Sequence, residues 1–235
     1  MIARLTLVAA VAAVVLLLAS GPGTRLHLWS FAIAFKMLAW ATYIGLFAGA
    51  CALVQLAIPK LRRSAARSLI LAVLLGVVAA APPIYLLHLA NTLPSIHDVT
   101  TDTEDAPRFE ALLRARAESP NKAGYGGAKV AQEQKRGYPD IAAFVSSLAP
   151  AQAFARALDA ARAEGWDIAA SDPAKGRIEA TATTPWFGFK DDIVVRVRPT
   201  DGGSRIDVRS ASRVGESDIG ENAKRIRRYL ARLRG

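Results

Sequence analysis

Residues 68–91 read SLILAVLLGVVAAAPPIYLLHLAN, and no charged side chain interrupts them. A helix needs roughly 20 apolar residues to cross the hydrocarbon core of a bilayer, so this run is long enough. Upstream, residues 31–58 are broken only by Lys36, Thr42 and Gln55, and residues 5–19 only by Thr6. Downstream the character changes. The first acidic residue of the chain is Asp98, and all 20 Asp and Glu lie from there onward. The chain is therefore two materials. Residues 1–92 are predicted to form a transmembrane region of about three helices, near 5–20, 31–58 and 68–91. Residues 97–235 are predicted to form one soluble domain, of ordinary single-domain size.

The charge divides in the same way. The formal net charge is +10, and residues 1–96 supply +7 of it through Arg4, Arg25, Lys36, Lys60, Arg62, Arg63 and Arg67. The remainder carries 30 − 7 = 23 bases against 20 acids, or +3. Most of the basic excess thus reports topology, and the mildly basic soluble part argues against a nucleic-acid partner. A single cysteine, Cys51, excludes an intrachain disulfide and a cysteine metal cluster. His27, His88 and His97 have no zinc spacing, so neither metal nor cofactor is expected.

Orientation follows from the loops. Lys60, Arg62, Arg63 and Arg67 crowd the connection between the second and third runs, whereas the first connection holds only Arg25. Positive-inside logic places the four-charge loop and the N-terminus in the cytoplasm, and the soluble domain on the far side. The first run also reads as a signal-peptide core behind Arg4, but no clean A-x-A site follows, and an uncleaved helix is the expectation. Gln55 and His88 are read as polar contacts within the helical bundle. The apolar region has no internal repeat and no intramembrane acids, which argues against a transporter.

From Pro150 the soluble part is patterned. Residues 151–164 place Phe154, Leu158 and Ala161 on one helical face, with Pro150 at the first turn and Gly165 at the end. Four runs of period two follow, at 166–170, 176–184, 193–198 and 204–210. Their alternation predicts an antiparallel meander with one buried and one wet face. Asp172-Pro173 and Asp201-Gly202-Gly203 supply the turn chemistry. Asp218 and Glu221 read as a capping box opening a last helix, with Ile219, Ala223, Ile226, Tyr229, Leu230 and Leu233 on its apolar stripe. The predicted class is a membrane-anchored α+β protein, with a four-stranded antiparallel meander sheet flanked by two helices. The order α-β-β-β-β-α over 150–235 is helix-grip-like. Residues 97–149 form the lead-in, with a helix expected within 107–117 and an ordered loop over 119–139.

Three segments resemble the bacterial family known as domain of unknown function 1499, which includes membrane-anchored members. The first is Ile96-His97-Asp98-Val99-Thr100-Thr101-Asp102 with Pro107 and Phe109. The second is Trp186-Phe187-Gly188-Phe189-Lys190-Asp191-Asp192. The third is Asp207-Val208-Arg209-Ser210, Ser212-Arg213-Val214-Gly215, leading into Asp218, Gly220 and Asn222-Ala223. Together they span the soluble part. Many relatives carry cysteines around a Ser-Pro-Asn segment; here Ser119-Pro120-Asn121 is followed by Lys122 with no cysteine nearby, so a role tied to those cysteines does not transfer. The resemblance implies no established activity.

Candidate sites are few. His97, Asp98 and Asp102, with Glu104 and Asp105, offer acid/base chemistry or a cation site, or a solvated segment leaving the membrane; calcium-loop spacing is missing. Gly124-Tyr125-Gly126-Gly127 lacks the strand and the following lysine of a phosphate cradle. No G-x-S-x-G element occurs. Trp186-Phe187-Gly188-Phe189 reads either as sheet core or as an exposed contact tip beside Lys190. Arg209, Ser210, Ser212 and Arg213 read either as an anion site or as cross-strand ion pairing with Asp207 and the neighbours of Glu179. The expected function is a non-enzymatic binding module of the bacterial cell envelope. It is carried in the cytoplasmic membrane on several spans, with its C-terminal domain on the periplasmic side. Phe187, Lys190, Arg209, Ser212 and Arg213 are the candidate binding residues, and the bilayer and an envelope protein or lipid the partners. The alternative is a hydrolase-like envelope enzyme using His97, Asp98 and Asp102.

Overall fold

The computed structural model describes residues 1–235. They divide into two compact units: Met1–Asn91 with Pro185–Gly188, and Thr92–Thr184 with Phe189–Gly235.

The first unit holds α1 (Ile2–Arg25), α2 (Phe31–Ala57) and α3 (Pro59–Thr92), each long and apolar enough to cross a membrane. Their packing inverts that of a water-soluble bundle. Most of the buried positions are small, among them Ala10, Ala13, Ala41, Gly45, Ala48, Ala52, Ala72, Gly76 and Ala79, with Leu17, Leu38, Leu69 and Gln55 the larger exceptions. The large apolar side chains point outward, among them Val15, Leu18, Phe47, Val54, Leu74 and Val77. Small residues let helix backbones approach closely: a Cβ on Gly76 would lie 2.5 Å from the carbonyl oxygen of Gly45. Gln55 Nε2 donates to Thr6 Oγ1 at 2.7 Å inside the unit. The tetrapeptide Pro185–Gly188 belongs here too. Arg25 Nη1 donates to the carbonyl of Pro185 at 2.7 Å, and the Phe187 ring meets Phe35 edge-on at 5.8 Å.

The second unit is one antiparallel sheet with helices. Strands β3 (Asp167–Asp172), β4 (Arg177–Thr183), β5 (Lys190–Thr200) and β6 (Gly203–Ser212) form the expected meander. Two short strands, β1 (Asp98–Thr100) and β2 (Phe144–Ser146), share the outer side of β6, pairing with its two ends. The sheet therefore has six strands rather than the four expected. Three residues are too few to show an alternation, so the lead-in gave no strand signal.

Between β1 and β3 lie α4 (Leu113–Arg116), α5 (Gly127–Gly137) and α6 (Pro150–Ala163); α7 (Glu221–Arg234) closes the chain. The helix expected within 107–117 shrinks to the four residues of α4. The loop expected over 119–139 contains α5, a helix whose apolar face is marked only by Val130 and two alanines. α7 has no capping box: Gly220, at φ 83°, occupies the N-cap, and Glu221 pairs with Lys224 instead. Asp218 still serves that end, accepting from the backbone N–H groups of Gly220 and Asn222, each at 2.8 Å.

Helices α6 and α7 cover one face of the sheet. Phe154, Ala157, Ile226, Leu230 and Leu233 pack there on Ile178, Ile193, Val195, Ile206 and Val208. Trp166 stacks on Tyr229 at 4.9 Å, and the buried Tyr229 hydroxyl donates to the carbonyl of Ala157. The other face, expected to be wet, is roofed by the lead-in. Phe109 and Leu112 sit on Val194 and Ala211, and charged side chains fill the space around them.

Candidate functional site

Pairing register decides which polar residues meet. Thr100, Arg209, Val194 and Glu179 lie in one row across β1, β6, β5 and β4, and Asp98, Ala211, Asp192 and Thr181 in the next. These rows lie under the roof, where polar groups must find partners.

Arg209 is 1% exposed. Its Nε and Nη2 donate to the two carboxylate oxygens of Asp98 at 2.9 and 2.7 Å, the bidentate geometry of a strong pair. Nη1 and Nη2 also donate to the carbonyls of Pro107 and Ala123. The guanidinium lies over the rings of Phe109 and Tyr125, 4.9 and 5.5 Å from their centres. Asp192 is clamped by two arginines: Arg116 Nη1 reaches it at 2.9 Å, and Arg213 binds both oxygens at 2.9 and 2.8 Å. The Thr181 hydroxyl adds a fourth donor. Arg116 also donates to the carbonyls of Ala211 and Ser212, tying the roof to β6. Glu179 accepts from the backbone N–H groups of Glu110, Ala111 and Leu112, which anchors the approach to α4.

At the near end of this face Asp207 gathers Arg196, Arg198 and Arg205. Asp102 joins the same arginines, and Asp105 bridges Arg196 and Arg198. Burial alone would raise the Asp102 carboxyl. The N–H groups of Asp105 and Glu104, with the charges of Arg205 and Arg196, outweigh it and hold the group below its ordinary value.

A second network lies on the helical face. Asp191 pairs with the buried Arg225 at 2.6 Å. Arg225 donates to Asn222 Oδ1 and to the Ser210 hydroxyl, and Ser210 donates to the same Asn222 oxygen. Asn222 Nδ2 donates to the His97 carbonyl and Ser212 Oγ. Burial pushes the Asp218 carboxyl up, against the two backbone N–H groups that it accepts from.

The sequence candidates thus scatter. Asp98 and Arg209 meet each other, and Asp102 meets the arginines of β5 and β6. Ser212 is buried against Asn222, and Arg213 is bound to Asp192. His97 Nδ1 lies 3.3 Å from the carbonyl of Glu216. Lys190 is exposed at the start of β5, and Phe187 lies in the other unit. Arg209 pairs with Asp98 rather than with Asp207 or the neighbours of Glu179. Sequence reasoning passed over Arg116 and Arg225; it met Asp191, Asp192 and Asn222 only as motif residues, and Glu179 only through its neighbours. The signal was available in part: Glu179, Asp192, Asp207 and Arg209 recur on one face of adjacent strands, a density of charge that a merely wet face does not need.

A hollow of 520 Å³ is lined by Thr103, Glu104, Tyr125, Gly127, Ala128, Ala131, Gln132 and Lys135. Tyr125 sits in its wall with the hydroxyl buried and unpartnered; burial, then the charge of Asp98, pushes the phenol up to about 12. A second hollow, of 350 Å³, lies between α6 and α7 beside Arg156, Asp159 and Arg232.

Among known families, the one described as protein of unknown function (DUF1499) matches residues 98–233. No curated protein and no solved structure matches the chain.

Proposed function

The chain belongs to the DUF1499 family of proteins of unknown function, and we propose that it is a bacterial cell-envelope membrane protein whose sheet domain is a non-enzymatic binding module. In this reading three helices cross the cytoplasmic membrane with the N-terminus inside. The sheet domain faces the exterior, where it engages an envelope protein, lipid or other component. Outward Leu, Val and Phe with inward Ala and Gly support the membrane placement, because lipid rather than water is the solvent that such a surface fits.

One observation carries the non-enzymatic reading. Every buried carboxylate (Asp98, Glu179, Asp191, Asp192, Asp207 and Asp218) is bound by an arginine or by backbone N–H groups. General acid/base work needs a carboxyl that reaches substrate and exchanges its proton near the working pH. Carboxylates held this way serve to fix the roof and α7 to the sheet, and leave the outer surface as the part free to act. The test is Asp98→Asn in the full chain in detergent. On this proposal the variant loses stability, because it strands the Arg209 charge. An enzyme reading requires the melting temperature to hold while a deletion strain is no longer rescued, and that result would replace the binding module with the envelope enzyme.

A further inference from the structure

The cations of the helical unit are not spread evenly. The hydrogen bond from Gln55 to Thr6 fixes the N-terminal end of α1 beside the C-terminal end of α2. Ala10 of α1, Ala52 of α2 and Leu69 and Ala72 of α3 pack together at the same level. Arg4 therefore lies at the same end of the unit as Lys60, Arg62, Arg63 and Arg67. At 1.5 Å per residue, Arg4 and Lys60 are within roughly 8 Å of the Gln55–Thr6 level along the helix axes. Only Arg25 and Lys36 are left toward the opposite end. All five cations at the crowded end are exposed. The unit contains no Asp or Glu, so none of the five has a carboxylate partner within it.

The backbone sets three of them apart. Ile58, at φ −89° and ψ 112°, ends α2, and Ala65, at φ −145° and ψ 18°, interrupts α3. The segment between these two breaks carries Lys60, Arg62 and Arg63 outward, while Leu61 turns partly inward. A short arm between two breaks, apolar on one side and cationic on the other, suits the boundary between hydrocarbon and headgroups.

We propose that this end of the helical unit is a binding surface for anionic phospholipid headgroups, formed by Arg4, Lys60, Arg62, Arg63 and Arg67. The inference rests on the membrane placement proposed above and adds the lipid class. Uncompensated cations at a bilayer surface attract anionic headgroups by Coulomb forces. Each contributes about a fivefold preference near the surface, and arginine adds bidentate bonds to phosphate oxygens.

The test uses the full chain reconstituted in vesicles of equal phosphatidylcholine and phosphatidylglycerol. Bound lipids are counted by native mass spectrometry after detergent release, and insertion is scored separately by resistance to carbonate extraction. The expected result is a phosphatidylglycerol excess of at least about fivefold, the factor for a single cation. The excess should disappear in R4Q/K60Q/R62Q/R63Q/R67Q and persist in the charge-keeping R62K/R63K and in R25Q/K36Q. Equal retention of the two lipids by the inserted wild-type chain overturns the inference alone. So does loss of the preference in R25Q/K36Q with retention in the quintuple variant. Failure of the wild-type chain to resist extraction overturns the membrane placement and this inference with it.

Discussion

At the scale of single residues, the buried ion pairs make the sharpest predictions. Removing one partner of a buried pair strands the other charge, at a cost of about 3–5 kcal/mol. Asp98→Asn should therefore destabilise the sheet domain by roughly that amount, read by chemical denaturation of the full chain in detergent. A loss below about 1 kcal/mol would mean that Arg209 finds other partners. Asp102 gives a pH signature. Its folded-state carboxyl is held below the ordinary value by backbone N–H groups and arginines. A depressed carboxyl stabilises the fold fully above its unfolded value and ceases to do so as pH falls through the folded one. The stability gap between wild type and Asp102→Asn should thus be wide at pH 7, begin to narrow near about pH 4 and close only below the folded-state value. A gap independent of pH would show that the Asp102 charge contributes nothing. Neither pairing was legible in sequence, because Asp98 and Arg209 are 111 residues apart and only the β1–β6 register joins them.

At the scale of elements, α7 separates what patterning reveals from what it conceals. Its apolar stripe was readable, and Ala223, Ile226, Tyr229, Leu230 and Leu233 are all buried. Leu230→Ala should cost about 2–5 kcal/mol by transfer and cavity formation. Arg228→Ala, which removes an exposed guanidinium and leaves Glu164 its second partner Arg232, should change stability by less than about 1 kcal/mol. Equal, small effects at both sites would mean that the helix is not docked. Arg225 has the same chemistry as Arg228 one turn away, yet it is buried on Asp191 and Asn222. Arg225→Ala should resemble the Leu230 variant rather than the Arg228 one. Sequence alone assigns both arginines to the wet surface, since a helical wheel records angle and not what the neighbouring strand offers. The connection Pro185–Asp192 behaves likewise. Its aromatics read either as core or as a tip, and Trp186 is 41% exposed in the helical unit rather than in the sheet core. Trp186→Ala should consequently cost less than the roughly 3–5 kcal/mol of a fully buried tryptophan.

At the scale of the whole molecule, the prediction concerns topology. The cations of the helical unit crowd the end holding Arg4 and the α2–α3 junction, which by positive-inside logic faces the cytoplasm. Three crossings then bring the C-terminus outside. Alkaline phosphatase fused after Gly235 should be active, and green fluorescent protein at the same site dark. A bright fluorescent fusion with an inactive phosphatase would invert the topology and move the sheet domain into the cytoplasm.

The amino-acid sequence by itself determined the division into an apolar third and a charged remainder, the three long helices, the four-strand meander and the helices around it. It also carried the family motifs. These are properties of period, composition and turn chemistry, which each segment expresses through its own backbone and immediate neighbours. Tertiary structure alone decided that β1 and β2 complete the sheet, that the lead-in roofs the second face, and that Arg116, Asp192, Arg209 and Asp98 neutralise one another beneath it. A strand of three residues has no period to read. Whether a charge on an alternating strand meets water or a distant arginine is fixed by long-range pairing, which leaves no mark on the local pattern.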